Sequence, residues 1–211
     1  MIYKVDRVAR DVRIALDQNM SSKPLLENED IDTLSLEVII KSKIVEGVRR
    51  VETNAPVHLL DGGHHFGDAV YWSDHDSGWT LLPDDFMRLI SFRMSDWERT
   101  VFTAISADDP LYLKQSSRYK GIRGNYQKPV CAIVVRPEGK ALEFYSCKDT
   151  DALVVQAVYR PYPKIDCDGG IDICERVYTA AVYAIASLVL TTFGETEKSA
   201  ALSNLANSFL E

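Results

Sequence analysis

Histidines and aspartates gather in one short part of the chain, and these residue types could ligate a metal ion. Residues 61–68 read Asp-Gly-Gly-His-His-Phe-Gly-Asp and include His64 and His65, and His75 follows between two aspartates. Imidazole and carboxylate are usual ligands of zinc, manganese or iron. The spacing places no two of them on one helical face, however, and adjacent histidines point in different directions. The sequence therefore predicts a polar, glycine-rich loop without a metal, and a metal-dependent hydrolase is the alternative.

Other catalytic patterns are missing from the sequence. The chain has neither the Gly-x-Ser-x-Gly pattern of a nucleophilic serine nor the glycine-lysine loop that cradles phosphates. The carboxylate pairs at residues 84–85 and 108–109 each adjoin a proline, which is ordinary turn chemistry. We therefore predict no catalytic residue and no cofactor, and a protein that is not an enzyme.

The four cysteines are Cys131, Cys147, Cys167 and Cys174. Their separations match no Cys-x-x-Cys zinc or redox pattern. Cys131 lies in an apolar run, where a buried free thiol is expected. Cys167 and Cys174 flank a Gly-Gly turn and could approach each other, but their spacing does not decide whether they pair. We expect reduced thiols and synthesis in the cytoplasm.

One segment combines basic and aromatic side chains at high density. Such a segment could stack tyrosines on bases and contact phosphates, or it could insert into an acidic neighbouring subunit, where Tyr and Arg often dominate contacts. A solvated loop is the third interpretation. The formal net charge of -7 favours a protein contact over nucleic-acid binding. The possible interface or lumen contacts are Arg118, Tyr119, Lys120, Arg123, Tyr126 and Lys128.

Helical spacing of apolar residues appears at both ends of the chain. A first helix is predicted over residues 5–16, broken by residues 19–24, and a second from near Asp30 to Arg49-Arg50. Together they suggest a helical hairpin. The apolar face of the second helix is expected to contain Ile31, Leu34, Val38, Val45 and Val48.

The C-terminal part is predicted to hold two more helices. Asp172 would open a long helix that ends at Gly194, and residues 195–210 would form a shorter one with Ala201, Leu202, Leu205 and Phe209 on one side. Residues 177–193 carry no charge, but they are barely long enough to cross a membrane and contain several hydroxyl side chains. A buried helix or a subunit contact is expected instead. No export signal precedes the first helix, and no membrane association is predicted.

The middle of the chain reads as sheet. Strands 79–82 and 86–94 are expected to pair around a Pro-Asp turn, and residues 137–140 to connect a hairpin. Residues 106–125 are predicted to form an excursion with a short helix at 110–115. The remaining strands are predicted at residues 57–60, 69–72, 129–136, 141–145 and 153–159.

The order of helices, strands and helices predicts an α+β protein. We expect an N-terminal helical hairpin, a central antiparallel β-sheet or sandwich region, and C-terminal helices that pack with the N-terminal ones. Residues 1–55 and 165–211 would form a helical docking layer, and residues 56–164 a β-rich region.

Two short motifs and the order of elements carry a family resemblance. Residues 82–89 read Leu-Pro-Asp-Asp-Phe-Met-Arg-Leu, residues 159–163 read Tyr-Arg-Pro-Tyr-Pro, and an apolar helix led by Asp172 follows. This arrangement resembles the head-to-tail adaptor proteins of tailed bacteriophages over nearly the whole chain. Residues 61–76 and 167–170 have no counterpart in that pattern.

The resemblance implies a structural virion protein at the head-tail junction. Such adaptors form rings, usually dodecameric, that connect the capsid portal to the tail. The implied partners are further copies of the chain, the portal protein, tail or further connector proteins, and genomic DNA that passes through without sequence-specific binding. An acidic protein would suit a channel that must not grip DNA. A monomeric β-sandwich binding module for a host or cell-surface partner is a second alternative.

Overall fold

The computed structural model describes residues 1–19, 35–60, 62–115, 117, 119 and 121–211. Within this part of the chain lie five α-helices and three sheets, so the expected mixture of helix and sheet is confirmed. The chain divides into two compact units, a helical unit (Met1–Asp61 and Pro163–Glu211) and a sheet unit (Gly62–Tyr162).

The helices and strands are numbered in chain order. The helices are α1 (Val5–Asn19), α2 (Leu36–Asn54), α3 (Pro110–Gln115), α4 (Tyr178–Thr192) and α5 (Thr196–Ser208). The strands are β1 (Ile2–Lys4), β2 (His64–His65), β3 (Tyr71–Trp72), β4 (Gly78–Leu81), β5 (Phe86–Met94), β6 (Ile105–Ser106), β7 (Cys131–Arg136), β8 (Gly139–Phe144), β9 (Val154–Pro161) and β10 (Gly170–Asp172).

Helix α4 has the other helices of the helical unit packed around it. Helices α1, α2 and α5 each contact it, and Ile185 and Val189 are fully buried. The prediction that the N-terminal and C-terminal helices pack together is thus confirmed. Residues 177–193 carry no charge because α4 lies in the core of the helical unit. Gly47 of α2 lies so close to α4 that an added Cβ would stand 2.3 Å from Ile185 Cγ1. Within the described residues, no helix is long and apolar enough to span a membrane.

Helix α2 has different ends from those predicted. Its N-cap is Ser35, whose hydroxyl accepts a hydrogen bond from Val38 N at 3.4 Å. The predicted start at Asp30 lies outside the described residues. The helix also continues beyond Arg50 to Asn54, because one further turn buries Val51 in the core.

The predicted apolar faces are only partly buried. In α2, Val38 is exposed and Val48 is buried, whereas Ile31 and Leu34 lie outside the described residues. In α5 only Leu202 of the predicted face is buried, because the helix is rotated so that a neighbouring row of residues faces the core. The buried residues of α2 include Ile40, Ile44, Val48 and Val51, and those of α5 are Ser199, Leu202 and Ala206.

Asp172 does not open the long helix, and that prediction is wrong. The residue ends β10, which pairs antiparallel with β1 and places Asp172 opposite Ile2. A 3-10 turn over Glu175–Val177 then precedes α4. The predicted end of α4 is confirmed, because Gly194 has a positive φ of 78° and follows the helix as a left-handed C-terminal residue.

The two larger sheets belong to the sheet unit. One has the strand order β2-β9-β5 and the other β3-β4-β8-β7-β6. The predicted pairing of strands 79–82 and 86–94 is wrong, since β4 pairs with β8 and β5 with β9. The turn between them therefore leads the chain from one sheet to the other. Side chains of both sheets share one core, which includes Phe92 and Met94 of β5 and Leu142 and Phe144 of β8.

Of the remaining predictions for strands and short helices, some are confirmed and others are wrong. Strand β5 and helix α3 have the predicted bounds, and β7 and β8 form the predicted hairpin around residues 137–138. Residues 57–60 were expected to be a strand, but Val57–Leu59 is a 3-10 helix. Backbone amides of this short segment donate hydrogen bonds to carbonyl groups three residues earlier, and not to a neighbouring strand. Strand β6 pairs parallel with β7, so the five-stranded sheet is mixed rather than antiparallel.

Candidate interaction surface

The described residues of the histidine-rich segment are not arranged as a group of metal ligands. His64 and His65 are consecutive residues of β2, so their side chains point to opposite faces. The Nδ1 atom of His65 accepts a hydrogen bond from Gly67 N at 3.0 Å, and His75 lies in the turn between β3 and β4. In the described part of the chain, which omits Asp61, no three His, Cys, Asp or Glu side chains come together as ligands.

The two motifs of the family resemblance meet in the sheet unit. The turn that contains Asp85 receives two hydrogen bonds from the end of β9: Tyr159 Oη donates to Asp85 Oδ1 at 2.7 Å and Tyr162 N donates to Asp85 O at 2.7 Å. Phe86 stacks on the Tyr159 ring with 5.7 Å between centroids. The corner between β4 and β5 is thus held by the strand that carries the second motif.

The excursion, residues 106–125, begins with α3, which is anchored on the five-stranded sheet. Tyr112 Oη donates to Glu143 Oε2 at 3.3 Å. Glu143 also accepts from Arg136 Nε at 3.1 Å and from the Tyr145 hydroxyl. Burial and this carboxylate raise the pKa of Tyr145, which therefore stays a proton donor. One acidic side chain of β8 holds three partners and fixes the first part of the excursion.

A buried glutamine ties the two sides of the excursion together. Gln115 Nε2 donates to Leu111 O at 2.9 Å, and its Oε1 accepts from Gly124 N at 2.8 Å. A Cβ on Gly124 would lie 2.7 Å from Ser146 Oγ, so the returning chain runs close against the end of β8. The excursion is therefore closed at its base.

An ion pair adds a third attachment at the base. Arg123 pairs with Asp76, and only 18% and 17% of the two side chains are exposed. They line a cleft of about 200 Å³, where Lys148 Nζ lies 4.4 Å from the centre of the Tyr126 ring. Burial, followed by the nearby acidic groups, raises the pKa of Cys147 in this cleft to about 12. The thiol is thus protonated at neutral pH and unsuited to nucleophilic attack.

Large apolar side chains of the excursion point into solvent. Leu113 is 76% exposed, Tyr119 74% and Ile122 54%, and Ile122 N closes a turn by donating to Tyr119 O at 2.9 Å. Lys114 is exposed beside them. Exposed apolar residues grouped on one segment mark an interaction surface better than single exposed residues do. We call Tyr119 and Ile122, which lie between the anchors Gln115 and Arg123, the excursion tip.

The predicted contact residues have different environments. Tyr119 belongs to the tip, whereas Arg123 and Tyr126 line the cleft at the base. Lys128 is exposed and exchanges backbone hydrogen bonds with Asn125. Arg118 and Lys120 lie outside the described residues.

Sequence patterns did not single out Leu113 and Ile122 as contact residues. The available signal was that α3 is too short to bury two leucines. Nothing in the sequence pointed to Gln115 or Glu143, and Asp76 was considered only as a metal ligand, because the partners of these side chains are set by the fold.

Comparison with known proteins adds no family to these observations. No protein-family model matches the chain, and no curated protein matches it. Its function is therefore argued from its own residues.

Proposed function

We propose that this protein is a structural virion component that forms a ring between the capsid portal and the tail. The observation that carries the proposal is the excursion, which is fixed at its base by Glu143, Gln115 and the Arg123–Asp76 pair while its tip exposes apolar side chains. Attachments at the base that are formed before binding lower the conformational entropy lost in a contact. This property suits a subunit that must fit between fixed neighbours.

The corner at Asp85 supports the same proposal. The segments at residues 82–89 and 159–163 resemble adaptor motifs, and Tyr159 and Asp85 join them by a 2.7 Å hydrogen bond. Two motifs that are over 70 residues apart thus contribute to one structural element. Such a link is what we expect if the resemblance reflects a common architecture.

The distribution of charge also fits a connector. Residues 62–162 hold 13 acidic and 12 basic residues, whereas residues 1–61 and 163–211 hold 18 acidic and 12 basic residues. Negative potential repels the phosphate backbone, so an acidic helical unit suits a lumen through which DNA passes without sequence-specific binding. The partners in this proposal are further copies of the chain, the portal protein, and tail or further connector proteins.

We also propose the finer architecture that a connector would use. In it α1 and α2 form a hairpin, the two larger sheets form a sandwich, and the helices of the helical unit make the layer that docks on the portal. The protein would be made in the host cytoplasm and reside at the head-tail junction of the virion.

Electron microscopy of the protein mixed with purified portal complexes tests the proposal. We expect a ring of density on the tail-side face of the portal. A variant with Leu113→Ser and Tyr119→Ser should lose most of this density. The matched control is Val135→Ser, because Val135 is 83% exposed but lies outside the excursion.

A portal face that stays bare with the unaltered protein would overturn the connector function. A protein that remains monomeric with portal present would instead fit the monomeric binding module. Stoichiometric bound metal whose loss follows His64→Ala with His65→Ala would favour the hydrolase.

A further inference from the structure

We draw no further inference here: the strongest candidate, the cleft of about 200 Å³ between Arg123, Tyr126 and Lys148 at the base of the excursion, has its arginine paired with Asp76 and its lysine placed over the tyrosine ring, and nothing in the structure shows what would occupy it.

Discussion

Individual polar side chains hold the irregular parts of the sheet unit. Glu143 accepts from three side chains, and Gln115 joins two backbone groups across the excursion. A hydrogen bond contributes only about 0.5–1.5 kcal/mol net, but a buried group left without its partner costs about 1–3 kcal/mol. The base of the excursion is therefore held by a few specific atoms, and single substitutions there have local effects.

Tyr159 makes the stability of the protein depend on pH in the alkaline range. Burial and the hydrogen bond to Asp85 raise its pKa from 10.0 to about 12. The folded state thus holds the phenol proton more tightly than the unfolded state, and its contribution to stability, complete below pH 10, is lost as the pH rises to 12. Tyr159→Phe should lower the free energy of unfolding by about 1 kcal/mol at pH 8, yet flatten its decline above pH 10.

Urea unfolding at pH 8, 10 and 11 measures this difference. Tyr119→Phe is the matched control, since Tyr119 is exposed and its substitution should change neither the free energy nor its slope. A variant at position 159 that declines as steeply as the unaltered protein would show that another group titrates.

At the scale of elements, the approach of α2 to α4 depends on a residue without a side chain. Alanine is normally better than glycine inside a helix by about 1 kcal/mol. At position 47, however, the new Cβ would stand 2.3 Å from Ile185 Cγ1 and 3.2 Å from Ile185 Cα. Overpacking of this kind costs about 1–3 kcal/mol, so Gly47→Ala should lower the free energy of unfolding by up to about 2 kcal/mol.

Chemical denaturation of Gly47→Ala beside Ser42→Ala checks this expectation. Ser42 is exposed on the same helix, so its substitution should be neutral or slightly stabilising. A gain in stability from Gly47→Ala would mean that α4 yields to the added methyl group without cost.

Gln115 should control the order of the excursion without controlling the fold. Gln115→Ala leaves Gly124 N without its acceptor, at a cost of about 1–3 kcal/mol. Because 1.4 kcal/mol corresponds to a factor of ten, amide hydrogen exchange in residues 121–125 should accelerate roughly tenfold, while β5 and β8 stay protected. Lys114→Ala removes an exposed neighbour and should leave the exchange rates unchanged.

Local signals in the sequence predict some elements well and their partners poorly. Strand β5 and helix α3 were predicted to the residue, because alternation, proline and aspartate mark their ends locally. The pairing of β4 with β5 was wrong because a Pro-Asp turn can join strands of one sheet or of two. Strand β1 was missed altogether, since three residues show no periodicity and their partner lies near residue 171. The residues that anchor the excursion were not predicted either, because the sequence carries no local signal of their partners.

At the scale of the whole molecule, the two units differ in which parts of the chain form them. The sheet unit is one continuous segment, Gly62–Tyr162, whereas the helical unit combines segments from both ends of the chain. The main core of the sheet unit consists only of its own residues. We therefore expect the fragment 62–162 to fold alone, and the fragment 1–61 to stay largely unfolded because α1 and α2 need α4.

Heteronuclear NMR spectra of the two fragments check this expectation. Well-dispersed amide signals are expected for residues 62–162 and collapsed ones for residues 1–61. A collapsed spectrum for the first fragment would show that its core requires the helical unit.

The pairing of β1 with β10 has a consequence for protein synthesis. A ribosome makes residues 2–4 at the start of translation, but their partners at residues 170–172 only near its end. The sheet unit can form while the chain is still being made, as domains commonly do, whereas the β1-β10 pair must wait. The N-terminal strand of a nascent chain therefore stays unpaired until almost the whole chain has been made.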